Sequence, residues 1–370
     1  VILACLYGVY RRLVIRPKRL TFSAEAVVIL FTIIALCVTD LFFEGARFAL
    51  GEIPEAGAYL SPVFGMLFTG ISESTLHSIA NSSYFAHLIL LVVFLNYLPY
   101  GKHFHIITAI PNVFMFKTKP LGQLTKLNFE DESLTTYGNS RIEQFAWKNY
   151  FDWFSCTECG RCMAQCPATN SEKPLNPKEL TIQLRDFLYN KASVLTGSYD
   201  GEKDEFGFAK DANPLLGDTV SHDVIWSCTS CRACEEACPV FIEYVQEIVD
   251  MRRHLVMMEG NFPQELQNVF QNLERNYNPW GIGFSERGNW AKDLNIPTMA
   301  EAKQDNKEVE YLYFVGCAGA FDDNNKKVAT ALATLMQKAN VNFAILGGEE
   351  KCNGDSARRI GNEYLAQTLM

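Results

Sequence analysis

The chain has 370 residues, too many for one ordinary domain, and its net charge of −9 conceals a split: residues 1–120 hold nine basic and six acidic residues, the remainder 24 and 36. An apolar, mildly basic front before an acidic rear is the pattern of a membrane anchor followed by a soluble region, and it excludes a nucleic-acid binder, which needs a basic stripe. Twelve cysteines would suit a disulfide scaffold only in a much shorter chain; eight of them fall into two compact runs, which fits reduced thiols in a cytoplasm-facing region.

Val1 lies inside an apolar run with no initiator Met, and the last residues, EYLAQTLM, read as an unfinished amphipathic helix, so the chain is expected to be the middle of a longer polypeptide. Val1–Tyr10 reads as the tail of an apolar helix, followed by a basic loop with Arg11, Arg12, Arg16, Lys18 and Arg19. Ala26–Leu50 is long enough to span a bilayer, since about 20 residues cross the hydrocarbon core. Tyr84–Ile110 is the next span and contains His87, His103 and His105. The intervening Ala58–Ala80 is interrupted by Ser72, Glu73, Ser74, His77 and Ser78. Placed on the outer surface, it leaves the 11–19 loop and the tail with Lys117, Lys119 and Lys126 both cytoplasmic, as the positive-inside rule asks.

An imidazole within the bilayer is costly and marks function. His87 and His105 are 18 residues apart, five turns of one continuous helix, which puts both rings on one side and about 27 Å apart along the axis. That suits one haem ligand near each membrane face. His103 points to the opposite side and reads as interfacial; His77 reads as surface polar.

A polar linker over 117–150 leads through FAWKNYFDWF into Cys156-x2-Cys159-x2-Cys162-x3-Cys166-Pro167, and the pattern recurs 72 residues later as Cys228-x2-Cys231-x2-Cys234-x3-Cys238-Pro239. Three thiolates at this spacing wrap a cubane, and the fourth, launching the next segment, reaches the other cluster. One [4Fe–4S] cluster is therefore expected on Cys156, Cys159, Cys162 and Cys238, and its neighbour on Cys228, Cys231, Cys234 and Cys166. Zinc would more typically take two Cys-x2-Cys pairs across a spacer. Helical stretches at Pro177–Tyr189 and Val245–Met258 suit a helical ferredoxin.

Toward the C-terminus, a strand at Glu310–Val315, a helix at Lys326–Ala339, a strand at Asn342–Leu346 and a further helix make a β-α-β-α pattern. Cys317 and Cys352 fall in loops at the strand C-termini, where open α/β sheets place their ligands; the alternative is two isolated buried thiols.

Two resemblances follow from these residues. YRRLVIRPKR, a spanning helix, His87 and LPYGKHFHIITAIP together look like the last part of the haem-b membrane subunit of respiratory nitrate reductases. On that mapping His87 and His105 match axial ligands of two b haems, with their partner histidines expected before Val1. From Trp153 onward, CTECGRC, CTSCRACEEACPV, NPWG, VGCAG and EKCNGDSARR resemble the heterodisulfide-reductase-related iron–sulfur proteins, most of all electron-transfer-flavoprotein:menaquinone oxidoreductases. Where that family often reads Cys-Cys-Gly this chain has Cys352-Asn353-Gly354, which argues against a noncubane cluster and leaves an ordinary third cluster at Cys317 and Cys352, completed by cysteines after Met370.

The resemblance implies a multi-domain fold: an α-helical transmembrane haem-b domain over 1–116, the linker, an α-helical ferredoxin domain with two [4Fe–4S] clusters over 151–260, a connecting segment over 261–308 and an α/β cysteine-rich domain over 309–370. It implies a multi-pass protein of a prokaryotic cytoplasmic membrane with the iron–sulfur domain facing the cytoplasm. The expected activity is electron transfer from a reduced flavoprotein, such as electron-transfer flavoprotein, to a quinone, with the lipid bilayer as surroundings and no nucleic acid as partner. The alternative is a relay or catalytic subunit of a heterodisulfide-reductase-like or sulfur-metabolism complex acting on a thiol or disulfide.

Overall fold

The computed structural model describes residues 1–53, 60–118, 120, 122–196, 198, 200–202 and 215–370. The chain divides into two compact units: Val1–Lys119 with Ala146–Asn190 and Cys231–Tyr244, and Pro120–Phe145 with Lys191–Ser230 and Val245–Met370.

The first unit opens with the helix Ile2–Tyr10, which widens into a π-helical turn over Arg11–Ile15 and is stopped by Arg16 in a left-handed conformation before Pro17. Two helices follow that are long and apolar enough to cross a membrane, Ala24–Ala49 and Glu73–Tyr100. They meet through Thr39 and the Leu36 carbonyl with His87, each at 3.1 Å, and through Phe43 with Tyr84. Their outward faces carry large apolar side chains in the open, such as Phe31, Phe85, Ile89 (63% exposed) and Val93. A contiguous apolar belt of this kind marks a surface made for contact with lipid or protein, not water.

The segment expected over Ala58–Ala80 is not a span of its own. Ala58 and Tyr59 lie outside the described residues, as does Lys119; beyond them come a short helix Ser61–Gly65 and a 3-10 turn Met66–Phe68. Ser72 then caps the long helix by accepting from the Thr75 amide, so residues 73–80 are its first turns.

The expected single helix Tyr84–Ile110 is corrected at its far end. The long helix closes at Tyr97, a 3-10 turn covers Leu98–Tyr100, and a separate helix runs His105–Phe114. Pro99 lacks the N–H that would continue the ladder, and Gly101 is extended at φ −125°, ψ −178°. The Glu25 carboxylate fills the space that a Cβ at Gly101 would take, so a larger residue here would have to displace it. His87 and His105 therefore sit on different helices, and the five-turn alignment of their rings does not hold.

The rest of this unit is helical. His105–Phe114 packs on Trp147–Ser155, and the contact is polar at its centre: buried Asn112 donates from Nδ2 to Asp152 Oδ1 at 2.9 Å and to the Val240 carbonyl at 3.0 Å. The helix expected from Pro177 runs to Asn190 and buries Leu180, Leu184 and Leu188.

The second unit is built on the helix Tyr244–Met257, from its second residue onward. Arg253, 1% exposed, donates to the Thr125 carbonyl (2.6 Å), Asp250 (2.7 Å) and Glu363 (2.9 Å), tying the 120–145 segment and the C-terminal helix Glu363–Leu369 to it. Tyr311–Leu312 and Phe343–Ala344 form a two-stranded parallel sheet in register 311 to 343. Between the strands lie the helices Gly316–Phe321 and Asp323–Lys338, the latter capped by Asp322. This is the α/β pattern read from the sequence, with Cys317 in the first turn of a helix and not in a loop.

Candidate cofactor centres

The two four-cysteine runs repeat their backbone as well as their spacing. Glu158 (φ 53°) and Gly160 (φ 72°) are left-handed in the first, and Ser230 (φ 56°) and Arg232 (φ 65°) in the matching places of the second. Left-handed residues between successive cysteines reverse the chain twice, so that side chains three apart turn toward one centre. Gly160 is also seated on the backbone of Arg19; any side chain there would strike the Arg19 carbonyl.

Cys156, Cys159, Cys162 and Cys238, the first quartet named by spacing, line one cavity in the first unit together with Lys178 and Tyr244. Cys156, Cys162 and Cys238 are buried and Cys159 is half-buried. The Tyr244 hydroxyl donates to Cys162 Sγ and the Ile242 amide to Cys238 Sγ, each at 3.5 Å. Burial pushes the Cys156 thiol up to about 12, and it is the main cause of the upward shifts at Cys162 and Cys238. Among the described residues no three His, Cys, Asp or Glu side chains close on one point as a single metal ion would require. The spacing of these cysteines is that of [4Fe–4S] ligands, one thiolate for each iron.

The second quartet does not lie within one unit. Cys166 and Cys234 are buried and Cys231 exposed in the first unit, whereas Cys228 belongs to the second, its sulfur accepting from the Ser230 amide at 3.3 Å.

Cys317 and Cys352 are neighbours in the second unit, 35 residues apart in sequence, and the Cys317 thiol donates to the Tyr277 carbonyl at 3.7 Å. The neighbouring Cys317, with the Gly354 amide and Arg287, pulls the Cys352 thiol down, while the same pairing and burial push Cys317 up. Arg287, 1% exposed, reaches Cys317 Sγ at 3.3 Å, the Tyr277 carbonyl at 3.3 Å and Glu350 Oε1 at 3.0 Å. Glu350 completes its shell with the Val315 and Gly316 amides at 3.0 and 2.9 Å.

His87 packs against the other long helix: its Nδ1 is 3.1 Å from both the Leu36 carbonyl and Thr39 Oγ1. Since Thr39 already donates to backbone carbonyls, Nδ1 is the protonated nitrogen and Nε2 is left to ligate. His103 and His105 are neighbours, with ring centroids 5.4 Å apart.

Sequence reasoning missed Lys178, Tyr244, Arg287, Glu350 and Tyr277. Only the positions of Tyr277 before NPWG and of Glu350 within GGEEKC hinted at them.

Comparison with known proteins matches residues 155–242 to a 4Fe-4S dicluster domain and residues 311–370 to a cysteine-rich domain. The chain is 36% identical over 397 residues to a probable iron-sulfur-binding oxidoreductase, FadF, of Bacillus subtilis, covering 100% of this chain and 56% of that protein. It is 40% identical over 380 residues to the EtfAB:quinone oxidoreductase of Syntrophomonas wolfei, covering 96% of this chain and 53% of that one. It is 31% identical over 216 residues to one subunit of the dihydromethanophenazine:CoB–CoM heterodisulfide reductase of Methanosarcina mazei, covering 57% of this chain and 48% of that subunit. The chain thus spans about half the length of the curated relatives it matches. No solved structure matches it.

Proposed function

We propose that this chain, a relative of the heterodisulfide-reductase-related iron–sulfur oxidoreductases, is the electron-carrying part of a membrane protein that takes electrons from a reduced flavoprotein and delivers them to a quinone. The observation that carries this reading is that a buried four-cysteine cavity lies in the same unit as two helices of membrane-spanning length. The identity to an EtfAB:quinone oxidoreductase supports an electron-transfer flavoprotein as donor.

Cys156, Cys159, Cys162 and Cys238 are assigned to one [4Fe–4S] cluster, and Cys228, Cys231, Cys234 and Cys166 to its neighbour. A cluster bound there supplies one-electron chemistry. The chain's part is to exclude water from three of the first four sulfurs, to fix them with short loops and to donate hydrogen bonds from Tyr244 and Ile242. His87 and His105 are assigned as axial ligands of two b haems, and the bond from His87 Nδ1 to the Leu36 carbonyl is the kind that orients a ligating imidazole. Cys317 and Cys352 are assigned to a third iron–sulfur cluster. The iron–sulfur region is placed on the cytoplasmic side of a prokaryotic membrane, in a multi-pass protein.

A second reading, chemistry on a thiol or disulfide, is favoured by one observation, the neighbouring Cys317 and Cys352 beside a buried guanidinium. The full-length protein should reduce a menaquinone analogue when supplied with reduced electron-transfer flavoprotein. His87→Ala and His105→Ala should each remove one b haem from its optical spectrum. Turnover of a disulfide but not of the quinone would reverse the choice.

A further inference from the structure

We propose that Lys178 and Tyr244 tune the cluster assigned to Cys156, Cys159, Cys162 and Cys238, holding its reduction potential up; this rests on that ligand assignment. The starting point is a cation in the wrong place. Lys178 is 4% exposed and sits in the first turn of the helix Pro177–Asn190, where the helix dipole disfavours positive charge. Its Nζ donates to the Arg19 carbonyl at 3.3 Å, a neutral acceptor, and no carboxylate comes within ion-pair range of it among the described residues.

The two other charged groups nearby do not resolve this. Glu158, which lines the same cavity, is paired with Arg185 at 3.0 Å. An unbalanced buried ammonium is costly, so a site that keeps one must present negative charge to it. The cavity that Lys178 lines is walled by four thiols. A [4Fe–4S] group with four thiolate ligands is an anion in both of its usual oxidation states, and more so when reduced.

Two effects then act in the same direction. The fixed charge of Lys178, itself 4% exposed, favours the reduced, more negative state, and burial weakens its screening. The Tyr244 hydroxyl, held 1% exposed and donating to Cys162 Sγ at 3.5 Å, withdraws charge from a ligand sulfur. Net charge and hydrogen bonds to sulfur are the levers that set such potentials.

The test is a redox titration of the full-length protein followed by electron paramagnetic resonance, in wild type, Lys178→Met, Lys178→Arg and Tyr244→Phe. Lys178→Met should shift one cluster to lower potential and move the other less. Tyr244→Phe should shift the same cluster down by a smaller amount. Lys178→Arg, which keeps the charge, should titrate close to wild type. An unchanged potential in a fully loaded Lys178→Met or Tyr244→Phe variant overturns the proposal and leaves the ligand assignment standing. If Lys178→Met does not load, Tyr244→Phe and Lys178→Arg decide the matter by the same criteria. Wild-type protein without two cubane signals would instead overturn the ligand assignment itself.

Discussion

The first cysteine cavity and the Cys317–Cys352 pair solve the burial of sulfur in opposite ways. In the first, burial makes the thiols hold their protons, with Cys156 pushed up to about 12, and Lys178 lines the same cavity. In the second, two neighbouring thiols have polar partners: Cys317 donates to the Tyr277 carbonyl at 3.7 Å and the Arg287 guanidinium donates to its sulfur at 3.3 Å. In the first, burial opposes ionisation of the thiols, a cost that the cluster proposed above would offset. Beside the second, the charge of Arg287 is matched by Glu350 at 3.0 Å. Buried thiols alone therefore say little about chemistry; the polar and charged groups around them set how readily each ionises.

The sharpest break of this comparison is by deletion. Cys156→Ser should abolish one of the two [4Fe–4S] signals, and Cys166→Ser should damage the other, whereas Cys317→Ala should leave both at wild-type intensity in iron analysis and paramagnetic resonance. If Cys317→Ala removed either signal, the two sites would not be separate.

A smaller effect is expected from the carboxylates. Glu350→Ala leaves Arg287 buried without its counter-charge and should destabilise the second unit by about 3–5 kcal/mol in denaturant unfolding. Joint replacement by Glu350→Leu and Arg287→Met should recover most of that loss, since an apolar pair of similar volume is often neutral.

The smallest effect concerns Asp152, the corresponding buried carboxylate of the first unit, which accepts from Lys148 (2.7 Å) and Asn112 (2.9 Å). Burial raises its pKa from 3.8 to about 6 against the pull of Lys148. A carboxyl raised on folding stabilises the native state when protonated; that contribution is full below the unfolded value and is lost as pH rises through the folded one. Relative to Asp152→Asn, the wild type should therefore lose roughly 1–3 kcal/mol between about pH 4 and 7. A parallel pH profile for the two proteins would show that the carboxylate is better solvated than its burial implies.

What the sequence made legible was local. The eight motif cysteines announce themselves because ligand spacing and backbone reversal are both encoded within a few residues, as at Glu158 and Gly160. The helix from Pro177 and the α/β alternation around Tyr311 and Phe343 were legible for the same reason. The histidine alignment failed because periodicity was carried through Pro99 and Gly101, two residues that end helices. The partners of the sulfurs were illegible because they are distant in the chain. Arg287 meets Cys317 from 30 residues away and Tyr244 meets Cys162 from 82. Lys178, on an amphipathic helix, reads as one more solvated cation until its burial is seen.

The contact of Gly160 with the Arg19 backbone has a mechanical consequence. Electron tunnelling decays exponentially with separation, so the conduit proposed above tolerates little breathing between its stations. A turn without a side chain, seated directly on the loop that leads into the helix Ala24–Ala49, leaves no compressible layer between the first cysteine run and the membrane-length helices. The hydrogen bond from Lys178 to the same Arg19 carbonyl pins that loop from a second direction. The distance is thereby fixed by main chain against main chain, the stiffest spacer a protein can build.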